Sequence, residues 1–128
     1  MFDYVMLATD DVARAEQFYD PLMAIRGYPR CWTKERSAAW RSFDDPTKVA
    51  LCIQKPFDGE PATVGNGVML ALRAALTAMV DSLHAAAVAH GGHDEGCPVP
   101  AYNMETASTP LVSATRTAIS SPLLTQCW

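Results

Sequence analysis

The residues best suited to bind a metal lie in one short segment after residue 89. His90 and His93 are separated by two residues, and Glu95 and Cys97 follow at alternate positions. Imidazole, carboxylate and thiolate are the usual ligands of Zn²⁺. Such short spacings are permissive, however, and the plainer interpretation is a set of solvated residues at a helix end and in the following loop. The remaining histidine, His84, falls inside a predicted helix.

The cysteines are the other reactive groups of the chain. Cys31, Cys52, Cys97 and Cys127 are far apart and form no Cys-x-x-Cys pair. In a reducing compartment this spacing indicates free thiols, most simply buried structural ones. Cys52 has no histidine near it in sequence to act as a base, so we do not assign it nucleophilic catalysis.

Composition limits the classes of partner. The chain has 128 residues, 49% of them apolar and 19% charged, and a net charge of -4. These values describe one mildly acidic globular domain, and no basic run favours nucleic acid. The longest apolar stretch, Val68–Val80, is interrupted by Arg73 and is too short to cross a bilayer. With no signal-peptide pattern at its start, we expect a cytoplasmic protein without a membrane partner.

A short repeat indicates that the domain is built from two similar modules. The residues Val5–Ala8 recur unchanged as Val68–Ala71. Each copy opens an apolar strand that runs into a helical stretch ending at glycine, at Gly27 and at Gly91-Gly92. This shared order predicts a duplicated strand-helix unit, with two unrelated units as the alternative.

The first module is predicted to begin with a strand over Phe2–Ala8 and a helix from Val12. Thr9-Asp10-Asp11 supplies the helix N-cap. Pro21 should bend or restart the helix because it lacks a backbone donor. The apolar residues that share one helical face are Val12, Ala15, Phe18, Tyr19, Leu22 and Met23.

Three short strands are predicted next, and then a connector and a second helix. The strands cover Arg30–Thr33, Ser37–Phe43 and Lys48–Gln54, and the glycine- and proline-rich connector covers Lys55–Gly67. The second helix is centred on Met79–Val88. Its predicted buried face consists of Leu76, Met79, Val80, Leu83, Ala87 and Val88.

These features together resemble the vicinal oxygen chelate superfamily, which includes glyoxalase I, bleomycin-resistance proteins and extradiol dioxygenases. The opening strand, its Thr9-Asp10-Asp11 cap, Phe18-Tyr19 and Gly27 resemble the start of these proteins. The connector Lys55–Thr63 is similar to that of the glyoxalase-like bacterial branch. The likeness covers residues 1 to about 106 and is specific in aggregate.

The resemblance implies an α+β fold in which two βαβββ modules form curled mixed sheets around a cleft. We expect a single glyoxalase-like domain over 1–128, made of modules 1–57 and 66–128 joined by the linker 58–65. The resemblance also implies a homodimer, because such sheets leave open edges that invite pairing.

The resemblance raises the question of a metal. Metal-using relatives place ligands at the positions of Tyr4, Cys52 and either Gly67 or Met69 in this chain. These residue types do not form the mixed histidine and carboxylate site that Zn, Ni or Fe needs. We therefore predict a metal-free site that uses no cofactor.

Three functions follow from the resemblance. The first is binding of a small organic molecule in the cleft. The second is a lyase of the lactoylglutathione type, for which no base and electrophile are visible. The third is noncatalytic sequestration of a drug, as in bleomycin resistance, where acidity would suit a cationic ligand. The candidate ligand-binding residues are Tyr4, Met6, Trp40, Cys52, Met69 and Tyr102.

Residues 107–128 depart from the family pattern. Relatives close with two strands around a turn resembling Asp-Pro-Asp-Gly-Asn-Lys. In a shifted reading frame, the codons of Ala114–Ser121 permit that turn, and we hypothesise a single-base slip just after Thr106. Neither frame supplies the glutamate ligand of metal-using relatives. If the tail is genuine, its apolar patches Leu111-Val112, Ile119 and Leu123-Leu124 can still form strands.

Replacing residues 107–128 by the shifted-frame sequence should raise the melting temperature, because a turn with Asp, Pro and Gly at suitable positions fixes the last strand pair. A gain of about 1 kcal/mol would move the midpoint by several degrees, as calorimetry can measure. A restored chain that melts no higher, or a tail as protected from hydrogen exchange as the first strand, would count against the slip.

Overall fold

The computed structural model describes residues 2–45, 48–63, 70, 72, 74–100, 115–121 and 124–127. Its helices and strands are β1 (Tyr4–Ala8), α1 (Val12–Ile25), β2 (Arg30–Lys34), β3 (Ser37–Trp40), β4 (Ala50–Gln54), α2 (Thr77–Ala89), β5 (His93–Pro100), β6 (Thr115–Ser121) and β7 (Leu124–Cys127). The predicted α+β class is confirmed, with a βαβββ first module.

The first four strands form one curled mixed sheet. Its order is β1-β4-β3-β2, with β1 parallel to β4 and the other neighbours antiparallel. The two-residue turn Glu35-Arg36 joins β2 to β3, since Lys34 pairs with Ser37. A register shift between Arg30 and Trp32 leaves Cys31 as the extra residue of a bulge, which bends β2 locally.

The second module shows an αβββ order over its described part. Strands β5, β6 and β7 form an antiparallel sheet in that order, and α2 contacts both β5 and β6. The predicted opening strand Val68–Ala71 lies outside the described residues except for Leu70. Two apolar residues of the tail are in strands, because Ile119 belongs to β6 and Leu124 begins β7, whereas Leu123 lies outside the described residues. The patch Leu111-Val112 lies outside the described residues.

Helix α1 begins where its cap residues predict. The Asp11 side chain accepts a hydrogen bond from the Arg14 backbone N–H at 3.0 Å, and Thr9 binds the Asp11 backbone at 3.2 Å. All six residues of the predicted apolar face are buried. The prediction of a restart at Pro21 is wrong, because the helix continues to Ile25. Phe18 and Leu22 on either side of Pro21 are buried in the core, and their packing offsets the lost backbone donor.

Helix α2 spans the predicted segment but buries a narrower face. Val80, Leu83 and Ala87 are buried, at the spacing of one helical stripe. Leu76 and Val88, which the sequence pattern places on that face, are 62% and 42% exposed. Leu76 is the N-cap and precedes the first helical turn. Gly91 ends the helix with φ of 96°, and the Gly92 N–H donates to the Ala87 carbonyl oxygen at 2.8 Å.

The core lies between the helices and one face of the first sheet. Leu51 and Ile53 of β4 and Ala38 and Trp40 of β3 pack with the buried faces of α1 and α2. Because strand residues alternate between faces, their neighbours Ala39 and Cys52 point to the other side. We call this other side, defined by Tyr4, Met6, Ala39, Ala50 and Cys52, the open face.

Candidate functional site

The open face carries a cavity of about 370 Å³. This volume lies within the usual range for small-molecule pockets. The cavity is lined by Asp3, Tyr4, Cys31, Trp32, Ala39, Arg41, Phe43, Lys48, Ala50 and Cys52.

The strand register fixes the floor of this cavity. Cys52 pairs with Met6 on one side and with Ala39 on the other, and Ala39 in turn pairs with Trp32. Tyr4 pairs with Ala50. Alanine and cysteine side chains therefore occupy the middle of the face, and their small size leaves the space that the cavity occupies.

Large aromatic side chains stand around this floor. Tyr4 is 57% exposed, Trp32 is 49% exposed and Phe43 is 66% exposed. Tyr4 comes from β1, Trp32 from the bulged strand β2, and Phe43 from the segment after β3. Their rings offer apolar faces on which a planar molecule can stack.

Two thiols line the cavity, one from β2 and one from β4. The Cys31 thiol donates to the Ala39 carbonyl oxygen at 3.3 Å, which brings its sulfur over the middle strand. Cys52 is buried on the adjacent strand, and both are free thiols. Burial raises the pKa of the Cys52 thiol, and the negative charge of a Cys31 thiolate raises this pKa further. The Cys52 thiolate is therefore disfavoured at neutral pH.

The residues predicted from sequence divide between the open face and other places. Tyr4, Met6 and Cys52 share the open face. Met69 and Tyr102 lie outside the described residues, as does Gly67. The structure adds Cys31, Trp32, Arg41, Phe43 and Lys48 to the cavity. The sequence contained a signal for Lys48, because residues 48, 50 and 52 alternate along the predicted strand and therefore share the face of Cys52.

Trp40 requires a correction, because it does not join the other candidates. It is 1% exposed and belongs to the core on the helix side of the sheet. Its indole N–H donates to the Asp20 carboxylate at 2.8 Å, and its ring lies 5.6 Å from that of Tyr19. The polar atom that made Trp40 a candidate for ligand binding is thus satisfied inside the protein.

The histidines do not gather around the cavity. His90 caps α2 and its Nδ1 donates to the Ala86 carbonyl oxygen at 2.7 Å, whereas His84 lies within α2. His93, which the sequence places in a loop, begins β5. Among the residues that the structure describes, no three His, Cys, Asp or Glu side chains are grouped to hold a metal ion.

The fold can be compared with solved structures. A glyoxalase/bleomycin resistance protein from Albidiferax ferrireducens T118 aligns with a TM-score of 0.76 and 25% identity, over 100% of this chain and 98% of that one. A glyoxalase/bleomycin resistance protein/dioxygenase family enzyme from Burkholderia phytofirmans PsJN aligns with a TM-score of 0.63 and 14% identity, over 98% and 96%. A glyoxalase-related enzyme from Fulvimarina pelagi aligns with a TM-score of 0.54 and 15% identity, over 100% of this chain and 88% of that one.

No protein-family model and no curated protein sequence matches the chain. The three structures show that the chain has the glyoxalase/bleomycin resistance fold, and the first of them, at 25% identity, supports the vicinal oxygen chelate superfamily. The resemblance seen in the sequence is confirmed at this level. Neither helix that the structure describes is long and apolar enough to cross a bilayer.

The two thiols of the cavity should differ in reactivity. Because its pKa is raised and its sulfur is buried, Cys52 should react with iodoacetamide at pH 8 at least about tenfold more slowly than Cys31. Its rate should still be rising above pH 9, since the thiolate fraction grows until the pH passes the raised pKa. Peptide mass spectrometry after timed alkylation measures both rates. A Cys52 that reacts as fast as Cys31 at pH 8 would contradict this arrangement.

Proposed function

We propose that this protein is a cytoplasmic, metal-free, glyoxalase-like protein that binds a small organic molecule on the open face. The observation that carries the proposal is that three exposed aromatic side chains, Tyr4, Trp32 and Phe43, surround a floor of small residues. Large apolar side chains grouped on a surface commonly mark a ligand or interaction site. Here they enclose a cavity of suitable volume rather than a flat patch.

The donor atoms near the expected metal position support a metal-free site. Tyr4 and Cys52 lie on the open face at the two family ligand positions that the structure describes. Burial raises the pKa of the Cys52 thiol, so this group favours its protonated form, and Tyr4 offers a phenol oxygen. They do not fit a hard divalent cation that prefers imidazole and carboxylate.

Binding without turnover is better supported than a lyase. Proton transfer next to a carbonyl needs a base beside an electrophile. Within the described cavity lining, Asp3 is the only carboxylate. Asp3 lies immediately before β1, and its backbone carbonyl oxygen accepts from the Ala50 N–H at 3.0 Å. A lyase of the lactoylglutathione type remains the enzymatic alternative, and turnover of a hemithioacetal of glutathione would establish it.

The binding proposal can be tested by filling the cavity floor. Ala39→Leu should weaken binding of 2-naphthamide, a neutral planar probe, by at least about tenfold, because the added atoms occupy the space where the ring would lie. The control Ala13→Leu makes the same change at an exposed position of α1. NMR titration gives the dissociation constants, and circular dichroism checks that both variants fold. Equal binding by wild type and Ala39→Leu would reject the open face as the site.

Metal content and assembly can be measured on the same purified sample. We expect elemental analysis to find no stoichiometric Zn, Ni, Fe or Mn, because the donor set does not fit these ions. We expect native mass spectrometry to find a homodimer, since exposed sheet edges favour pairing. One tightly bound transition metal per protomer at the open face would overturn the first expectation. A monomer at micromolar concentration would overturn the second.

A further inference from the structure

We propose that the cavity of the open face selects a planar aromatic carboxylate. This inference rests on the proposed function and adds the chemical class of its ligand. Its basis is the sign of the charges at the cavity, which is opposite to the sign of the protein's net charge.

The charged residues at the cavity are mostly basic. Arg41 and Lys48 line it together with one acid, Asp3. Two positive charges thus face one negative charge, on a chain whose net charge is -4. A third cation lies at the aromatic wall, where the Lys34 ammonium is 5.6 Å from the centre of the Trp32 ring. A local excess of positive charge on an acidic protein favours an anionic ligand.

Arg41 is the group best placed to bind a carboxylate. It follows β3 on the same side as Ala39, and its backbone N–H donates to the Pro29 carbonyl oxygen at 3.1 Å. The next residue, Ser42, is 2% exposed and anchors this segment. The Arg41 side chain itself is exposed and forms no ion pair with the described part of the chain. Its guanidinium therefore keeps its donors for a carboxylate, which it can bind through two parallel hydrogen bonds.

Lys48 supports this end of the cavity as a point charge. Its backbone N–H donates to the Asp45 carbonyl oxygen at 3.2 Å, and its ammonium lies 5.9 Å from the centre of the Tyr28 ring. The ammonium is thus shared between the cavity and a neighbouring aromatic ring. We expect Lys48 to contribute less than Arg41, because a single ammonium does not match the two carboxylate oxygens.

The remaining lining fits an aromatic ring. Phe43 lies beside Arg41, two residues along the same segment, and Tyr4 and Trp32 stand across the small floor residues Ala39 and Ala50. A planar ring laid on the floor can contact these aromatic side chains while its carboxylate reaches Arg41. Aromatic walls alone would also suit an organic cation. Arg41 and Lys48 would repel a cation, so the charges of the cavity favour an aromatic carboxylate over an organic cation.

Three probes that share a naphthalene ring and differ in charge test this inference: 2-naphthoate, neutral 2-naphthamide and cationic 2-naphthylmethylamine. We expect the wild-type protein to bind 2-naphthoate at least about tenfold more tightly than the amide, and the amine most weakly, at pH 7.5 and low salt. Arg41→Gln should remove most of this preference, because it should weaken the binding of 2-naphthoate more than the binding of 2-naphthamide. Lys48→Gln should reduce it by about twofold to threefold. Arg14→Gln, an equal charge change at an exposed position of α1, should leave it intact.

The location of the probe is checked by alkylation. Bound 2-naphthoate should slow the reaction of Cys31 with iodoacetamide in the wild type but not in Ala39→Leu. Equal binding of naphthoate and naphthamide, with both lost in Ala39→Leu, would overturn the anion selectivity and leave the proposed function standing. Tightest binding of the amine, or an equal loss of amide and naphthoate in Arg41→Gln, would also overturn it. Failure of all three probes to bind would reject both proposals.

Discussion

The position of Trp40 in the core is the constraint on which the open face depends. Its ring packs against Tyr19 and its N–H is held by Asp20, so β3 cannot rotate without leaving a buried donor unpaired. Asp20 is itself held by Arg30, which also pairs with Glu16, both within 2.9 Å. With Trp40 fixed toward the helices, Ala39 and Arg41 must point to the other side. A slip of β3 by one residue would exchange these two sets.

The bulge at Cys31 is the second determinant of the cavity. Regular alternation would place consecutive residues of β2 on opposite faces. The extra residue relaxes this rule, so that Cys31 and Trp32 both line the cavity. One residue supplies a thiol over the floor and the next supplies an aromatic wall. The edge strand therefore contributes more to the cavity than its length of five residues suggests.

The sequence predicted most of the first module because local and periodic signals agree there. The cap before Val12 and the buried face of α1 were both visible in the sequence. The predicted restart of the helix at Pro21 was wrong because the packing of the buried face outweighs one missing backbone donor. Trp40 was assigned to the ligand site because its indole N–H needs a partner when buried. The apolar run Ala38, Ala39 and Trp40 does not reveal which face of the strand each residue occupies. Arg41 and Phe43 were missed although the predicted strand Ser37–Phe43 contains them, because the sequence does not show which face of that strand borders a cavity. Cys31 was missed because a bulge has no clear sequence signal.

The connector between the modules combines fixed ends with an open tip. Arg36 donates to the Pro56 carbonyl oxygen at 2.9 Å, and Asp10 accepts from the Ala62 N–H at 2.7 Å. Between these anchors, Gly59 adopts φ of 79° and Phe57 is 96% exposed. Such a tip is where a chain tolerates cutting or insertion, because no buried contact is lost. The protein is thus suited to expression as two fragments, divided at this turn, that reassemble through their shared core.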